Sequence, residues 1–328
     1  MTTEQLVPTT LYTPGAQQLR LHVAELETAA PGIRSVTLRA PDGGSLPSHP
    51  PGSHVVLDCG GGHRNAYSLT GSGTAPTEYR ISVLLVAGGR GGSRWIHESL
   101  RVGDLVEVSR PRSAFAPVLA ARHHLLIAGG IGITPILSHA RAAVARGHSF
   151  SLLYGHREGV APHLQELRAL CGDRLEADDQ GPEALMKRVR TALRRQPLGT
   201  HLYVCGPGPL MDAVTEAAQA AGWPGERVHT ERFSAADHDP GQPFTARLAR
   251  TGLTVTVPAG TPLLDALHRA GVPVPSMCRQ GVCGECRVGL LAGRPDHRDL
   301  YLSPAEREAG DSLMCCVSRG HDELELDL

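Results

Sequence analysis

Three cysteines within nine residues, Cys278, Cys283 and Cys286, constrain this chain more than anything else in it. They read C-x4-C-x2-C, and a doublet, Cys315-Cys316, follows near the C-terminus. Residues 277–286 read as a loop, in which Gly281 and Gly284 let the backbone fold tightly and turn its N–H groups toward the sulfurs. Thiols gathered this way imply a sulfur-bound group at their centre. The remaining sequence has to explain what that group exchanges, and with what.

The spacing is that of a plant-type [2Fe–2S] cluster, which carries one electron at a time. Upstream, residues 253–257 alternate at period two and read as a strand. Thr261-Pro262 then opens a helix, with Thr261 as N-cap, through Leu263, Leu264, Ala266 and Leu267. The chain closes on a second alternating strand, 323–328. Strand, helix, cluster loop and closing strand resemble the β-grasp fold of plant-type ferredoxins. That resemblance puts twenty-nine residues between the third and fourth ligands, and the count from Cys286 reaches Cys316. The implied ligands are Cys278, Cys283, Cys286 and Cys316, with Cys315 a buried bystander, because adjacent side chains diverge. A zinc knot on the same cysteines is the alternative, but zinc usually takes two C-x2-C-like pairs and here three ligands crowd one loop. Paired disulfides suit the chain less, since no signal peptide is seen and cytosolic thiols stay reduced.

Composition excludes other classes. A net charge of −1 over 328 residues makes no case for nucleic acid or an anionic membrane surface. No apolar run approaches the roughly 20 residues of a membrane helix, so a cytoplasmic protein is expected. Residues 1–18 read as a loose tail. Over 19–118, short alternating strands at 19–26, 35–38, 54–58, 66–70 and 79–86 suggest an antiparallel barrel. Over 119–233, strands alternate with helices in a doubly wound α/β pattern. Residues 234–244 form a linker, and 245–328 the ferredoxin domain. Cys59 and Cys171 read as small core residues.

Each of the first two domains carries a motif. On a barrel strand, Arg64-Asn65-Ala66-Tyr67-Ser68-Leu69 offers a cation, an aromatic plane and a hydroxyl, which is what a flavin requires of its phosphate, ring and N5 surroundings. Gly88 to Ser93, running into a helix, offers exposed N–H groups and a positive helix end to a terminal phosphate, through Gly91, Gly92 and Ser93. A terminal phosphate there suits FMN; FAD would continue into an adenosine. In the second domain, Gly129-Gly130-Ile131-Gly132-Ile133-Thr134-Pro135 follows a strand and opens a helix, so its glycines admit a pyrophosphate. It is not the G-x-G-x-x-G of Rossmann domains. Cys205-Gly206-Pro207 repeats the strand-turn-helix logic, and Arg157, followed by Glu158, marks the adenosine end. Glu231-Arg232-Phe233 closes the domain.

These motifs resemble the ferredoxin reductase superfamily. The resemblance implies Arg64 at the flavin phosphate, Tyr67 along the ring or ribityl chain, and Ser68 hydrogen-bonded to N5. It places Thr134 near the nicotinamide and Cys205 as a positioning residue of the hydride site rather than a nucleophile. Phe233 lies near the flavin or plugs a domain boundary. The order flavin barrel, nucleotide domain, ferredoxin domain resembles the phthalate dioxygenase reductase family over about residues 18–328, and His297-Arg298-Asp299 fits it. Membership implies electrons passing from NADH, or NADPH, through FMN and the [2Fe–2S] cluster to a Rieske-type oxygenase met transiently, as redox partners are; the sequence has no obvious oligomer motif, so a monomer is expected. The same chain of cofactors serving a cytochrome P450, or a redox sensor with little turnover, are the alternatives.

Overall fold

Period-two alternation builds the first sheet of the computed structural model, which describes residues 18–60, 63–88, 91–113, 115–233, 240–276, 278–279, 281–299 and 301–328. Strands β1 (Gln18–Ala30), β2 (Ile33–Arg39), β3 (His54–Asp58), β4 (Arg64–Ser68), β5 (Glu78–Leu84) and β6 (Leu105–Ser109) pair in the order β4-β3-β6-β1-β2-β5. Just past β4, Leu69 bridges Ile81 of β5, so the two edges meet and the sheet closes on itself. Closure removes unpaired strand edges. Val23, Val36, Leu57, Leu69, Ile81 and Val108 fill the interior, and helix α1 (Gly92–Glu98) adds Ile96. Strand β4 starts two residues earlier than its expected range, 66–70, which brings Arg64 and Asn65 onto the ladder.

The second sheet is wholly parallel. It contains β7 (His123–Gly129), β8 (Phe150–Gly155), β9 (Leu175–Asp178), β10 (Thr200–Cys205) and β11 (Val228–Glu231), in the order β11-β10-β7-β8-β9. Helices α2 (Ile133–Arg146) and α3 (Leu164–Cys171) pack into one core, and α4 (Pro182–Leu193) and α5 (Gly208–Ala220) into another. The chain steps from β7 out to β9, then returns to β10 on the other side of β7. That reversal makes a switch point between β7 and β10, and ligands of open α/β sheets bind outside the carboxyl ends of the strands at such a point.

Buried histidines in this domain give it a pH liability. The His139 ring lies buried, Nε2 donating to the Phe115 carbonyl at 2.8 Å, and burial pulls its pKa down to about 3. His124, also buried, has neither ring nitrogen hydrogen-bonded, and burial brings it down to about 4. Below pH 6.5 the unfolded chain takes up protons that the folded rings refuse. Stability is therefore present above that pH and is lost as pH falls toward the folded values; for His139 alone the loss at pH 5 is about 2 kcal/mol. Calorimetry at pH 7 and pH 5 should show the nucleotide domain melting earlier in acid. A His139→Gln variant should be weaker at pH 7 but lose less on acidification; an equal loss in both would contradict the assignment.

The third sheet holds β12 (Phe244–Leu248), β13 (Thr254–Val257), β14 (Arg287–Asp296), β15 (Ser312–Met314) and β16 (Arg319–Leu326), in the order β13-β12-β16-β14-β15. Helix α6 (Leu263–Arg269) packs Leu263, Leu264 and Leu267 onto it, and α7 (Pro304–Ala309) carries a Ser303–Glu306 capping box. Thr261 is not the N-cap of α6 as expected: the cap position is Pro262, and no side chain caps this helix. Strand β12 begins at Phe244, one residue inside the expected linker, whose residues 234–239 lie outside the described ones, as do residues 1–17 of the tail.

Candidate functional site

One face of the β3–β4 hairpin meets both other domains. The register pairs His54 with Ser68, Val56 with Ala66 and Asp58 with Arg64. On their outward face, Arg64 Nε contacts Asp58 Oδ2 at 3.2 Å, leaving further guanidinium donors for an anion. Val56 shares a buried cluster with Cys278 and Cys283 of the cluster loop, and Ala66 and Val282 pack against that cluster. The Ser68 hydroxyl donates to Glu231 Oε2, at the end of β11, at 3.5 Å. The other face of β4 turns toward the barrel. There Leu69 is fully buried, Tyr67 packs against the core, and Asn65 Nδ2 donates to Tyr67 Oη at 3.2 Å. Burial pushes the nearby Cys59 thiol up to about 12.

The expected phosphate seat lies beside this hairpin. Gly91 caps α1 in the left-handed region, and a Cβ on Gly92 would lie 2.4 Å from Asn65 Nδ2, so a larger residue there would have to displace that amide. Ser93 Oγ accepts the Val86 N–H at 3.2 Å and keeps its own proton for a further acceptor. Gly89 and Arg90 lie outside the described residues. Donors at Arg64 and Ser93 fit a phosphate.

The nucleotide crevice forms where the switch point puts it. The turn Gly130–Gly132 touches β5, so the nucleotide loop sits against the barrel. A Cβ on Gly132 would lie 2.3 Å from the carbonyl oxygen of Cys205, so the loops after β7 and β10 touch backbone to backbone. Thr134 is buried, and its hydroxyl donates to the Ile131 carbonyl at 3.0 Å, tying the turn to α2. Cys205 is fully buried, and burial, with the Glu231 carboxyl second, pushes its thiol well up, which disqualifies it as a nucleophile. Gly206 and Pro207 lead into α5. Arg157 stands apart, in the turn after β8, bridged to Val160. Phe233 is exposed beyond β11.

Glu231 is the residue that sequence reasoning passed over. Part of its surface reaches solvent, but its carboxyl faces inward to Ser68, and burial pushes it up to about 8. At neutral pH it is protonated and able to donate. The signal lay in the tripeptide with Phe233: its first residue, not its aromatic one, touches β4.

The cluster loop sorts its thiols two by two. The Cys278 N–H points at Cys283 Sγ at 3.5 Å, and a hydrogen bond between these two thiols holds Cys283 up. Cys286 faces Cys315 and Cys316, whose hydrogen bonds hold its thiol well below the usual range. Cys316 also feels Cys278 and the Gly281 N–H, and both Cys315 and Cys316 border the apolar core of their domain. Among the described residues no three His, Cys, Asp or Glu side chains converge as a single ion requires. Cys278 with Cys283, and Cys286 with Cys316, offer two thiols to each of two irons. Met277 and Gln280 of this loop lie outside the described residues.

Comparison with known proteins agrees with this anatomy. Residues 108–228 match a model of the N-terminal domain of the dimethylamine monooxygenase subunit DmmA-like family, and residues 246–319 match the 2Fe–2S iron-sulfur cluster binding domain. The chain is 43% identical to the heme-dependent oxidative N-demethylase beta subunit of Ectopseudomonas mendocina, across 92% of this chain and 96% of that one. Phthalate dioxygenase reductase, a modular structure for electron transfer from pyridine nucleotides to [2Fe–2S], overlays 95% of this chain and 98% of its own, at TM-score 0.73 and 36% identity. An intact type IV self-sufficient cytochrome P450 monooxygenase overlays 99% of this chain at TM-score 0.80 and 35% identity, although this chain spans only 43% of that longer one. Among the described residues no helix is long and apolar enough to cross a membrane. With three domains in one order and such likeness over nearly its whole length, the chain belongs to the phthalate dioxygenase reductase family, the NAD(P)H-dependent oxidoreductases that supply oxygenase components with electrons through a flavin and a [2Fe–2S] cluster.

Proposed function

We propose that this chain takes electrons in pairs from NADH and delivers them singly to a terminal oxygenase that demethylates or hydroxylates a small organic molecule. The outer face of β3–β4 carries the reading, because Ser68 on it meets the nucleotide domain and Val56, paired with Ala66, meets the cluster loop. When bound, FMN accepts a hydride and releases its electrons one at a time, chemistry the cofactor supplies by itself. The protein's share is placement. Arg64 and Ser93 hold the phosphate end. The Gly132–Cys205 contact sets how deep the nicotinamide sits, with Thr134 bracing the turn. Ser68 holds N5, and protonated Glu231 orients its hydroxyl. Arg157 and Glu158 meet the adenosine, Glu158 favouring the free ribose hydroxyl of NADH. The chain acts as a cytoplasmic monomer and meets its acceptor transiently, as redox partners do. A Rieske centre is the first acceptor to test. A heme oxygenase is the second, favoured by the names of the N-demethylase subunit and the P450 reported above.

Anaerobic titration with NADH tests the reading. Bleaching of flavin and iron–sulfur bands, with FMN released by heat, is the expected result; bands that neither NADH nor NADPH bleaches would sink it. Glu231 adds a pH signature. Its carboxyl should ionise as pH rises through about 8, so flavin reduction should slow on the alkaline side. Glu231→Gln, which cannot ionise, should flatten that limb with only a small loss at pH 7. An unchanged alkaline limb in the variant would remove Glu231 from the step.

A further inference from the structure

Arg112 lies on the connector that leaves β6 for the nucleotide domain. Its backbone is fastened to β3: the His54 N–H donates to the Arg112 carbonyl at 2.8 Å, and the Arg112 N–H to the His54 carbonyl at 3.0 Å. Its side chain reaches into the third domain. Nη1 donates to the carbonyl of Cys283 at 2.5 Å, between residues 171 apart in sequence. That carbonyl belongs to a cluster ligand that is itself buried against Val56 and Ala66. The apolar contact around it is small, and apolar contact is non-directional, so by itself it would let the loop slide on the strand. A guanidinium is directional, with donors in a rigid planar fork and a permanent charge. His54, its neighbour on β3, is kept neutral down to about 4, by burial first and the Arg112 charge second, so it adds no competing cation at working pH.

We propose that Arg112 is a positioning residue that registers the cluster loop on the flavin barrel and strengthens the cluster's hold on an incoming electron. The first half follows from geometry. Arg112 is anchored to the strand paired with β4 and grips the peptide of a ligand, so it fixes the distance from Ser68 and Ala66 to Cys283. Electron transfer falls steeply with distance, so a loop free to slide loses rate. The second half follows from charge. Reduction adds one negative charge to the cluster, and hydrogen bonds and net charge nearby set the potential of such groups. A fixed cation on the ligand's own carbonyl favours the reduced form. The inference rests on the reading that flavin on the barrel reduces the cluster, and its test keeps the two apart.

The test uses full-length holoprotein, wild type beside Arg112→Gln and Arg112→Lys. Rapid mixing with NADH separates bleaching of the flavin from bleaching of the cluster. A mediator titration followed by electron paramagnetic resonance gives the cluster potential with no turnover. Flavin bleaching should keep its rate. Cluster bleaching should slow several-fold in Arg112→Gln, since a loop free to slide loses its closest approach to the barrel and a lower cluster potential reduces the driving force. The lysine variant should recover part of the rate, and the cluster potential should fall in the order wild type, Arg112→Lys, Arg112→Gln. Cluster bleaching at the wild-type rate in Arg112→Gln overturns the proposal. Equal slowing of both steps with an unmoved potential also overturns it, being the mark of general loosening. If NADH fails to bleach the flavin of the wild type, the reductase reading itself falls, and this inference with it.

Discussion

Cys316→Ser should strip the chain of its iron–sulfur bands, while Cys315→Ser should keep them. Both thiols lie buried and both hydrogen-bond to Cys286, so proximity to that ligand does not separate them. Their other neighbours do. Cys316 faces Cys278 and receives the Gly281 N–H, on the side where the loop wraps its contents. Cys315 is built into the domain: its carbonyl accepts the Leu264 N–H of α6 at 2.8 Å, and its N–H meets the Cys286 carbonyl at 3.2 Å. The apolar core with Leu263, Leu313 and Met314 takes in both thiols, so it is these backbone ties, against the Cys278 and Gly281 side of Cys316, that separate them. Serine at 315 thus leaves a small buried hydroxyl, a cost of about 1–3 kcal/mol that the domain can bear. Serine at 316 removes one of four bonds that hold the irons. Iron and acid-labile sulfide in the purified variants give the answer. A brown Cys316→Ser protein beside a Cys315→Ser protein left with the yellow of flavin alone would move the fourth bond to Cys315. Loss of the cluster must leave flavin reduction by NADH intact, because Ser68, Thr134 and Cys205 all lie in the other two domains.

The elements that were legible in the sequence share a physical cause. A C-x4-C-x2-C loop has few uses, and glycines followed by a helix start have few as well, so those segments announced their chemistry locally. Alternation also gave the right two faces of the Arg64–Leu69 stretch. What it could not give was the occupant of each face. Ala66 reads as part of the flavin motif, yet its cross-strand partner Val56 packs with the cluster loop, more than two hundred residues away in sequence. Glu231 and Arg112 were silent for the same reason: each matters through a contact with a different domain, and no local period encodes such contacts. Strand β14 was hidden differently. Gly293 and Pro295 interrupt it, and its ladder with β16 slips register at two places, so no clean period survives. Thr261 misled because Ser and Thr before proline mark helix starts in general, whereas here the chain enters α6 in an extended conformation at Pro262.

Gly132→Val should abolish NADH oxidation while leaving flavin and cluster bound. The added Cβ would lie 2.3 Å from the Cys205 carbonyl oxygen, 2.4 Å from its carbon and 2.6 Å from the Gly206 nitrogen. All three are backbone atoms, so no side chain can swing aside. Strand β7 and strand β10 are neighbours in the sheet, paired from Thr200–His123 to Cys205–Ala128, and that ladder resists being pried apart. The strain must then appear just beyond it, in the turn Gly130–Gly132 and at Cys205-Gly206. Those are the two segments proposed above to form the hydride site, and the turn also touches β5 of the barrel. A shift there of about 1 Å costs on the order of 100-fold in rate when the chemistry depends on placement. The barrel core, centred on Leu57, Leu69 and Ile81, and the thiol pairs of the third domain lie in other sheets, so the visible spectrum should survive. Dithionite should still bleach both bands, which shows the cofactors competent, and NADH should not. Gly132→Ala carries the same Cβ and should act in the same direction, with fewer atoms to accommodate. Wild-type NADH oxidation by the valine variant would mean that the two loops are free to separate, and the hydride site would have to be sought away from the β7–β10 switch point.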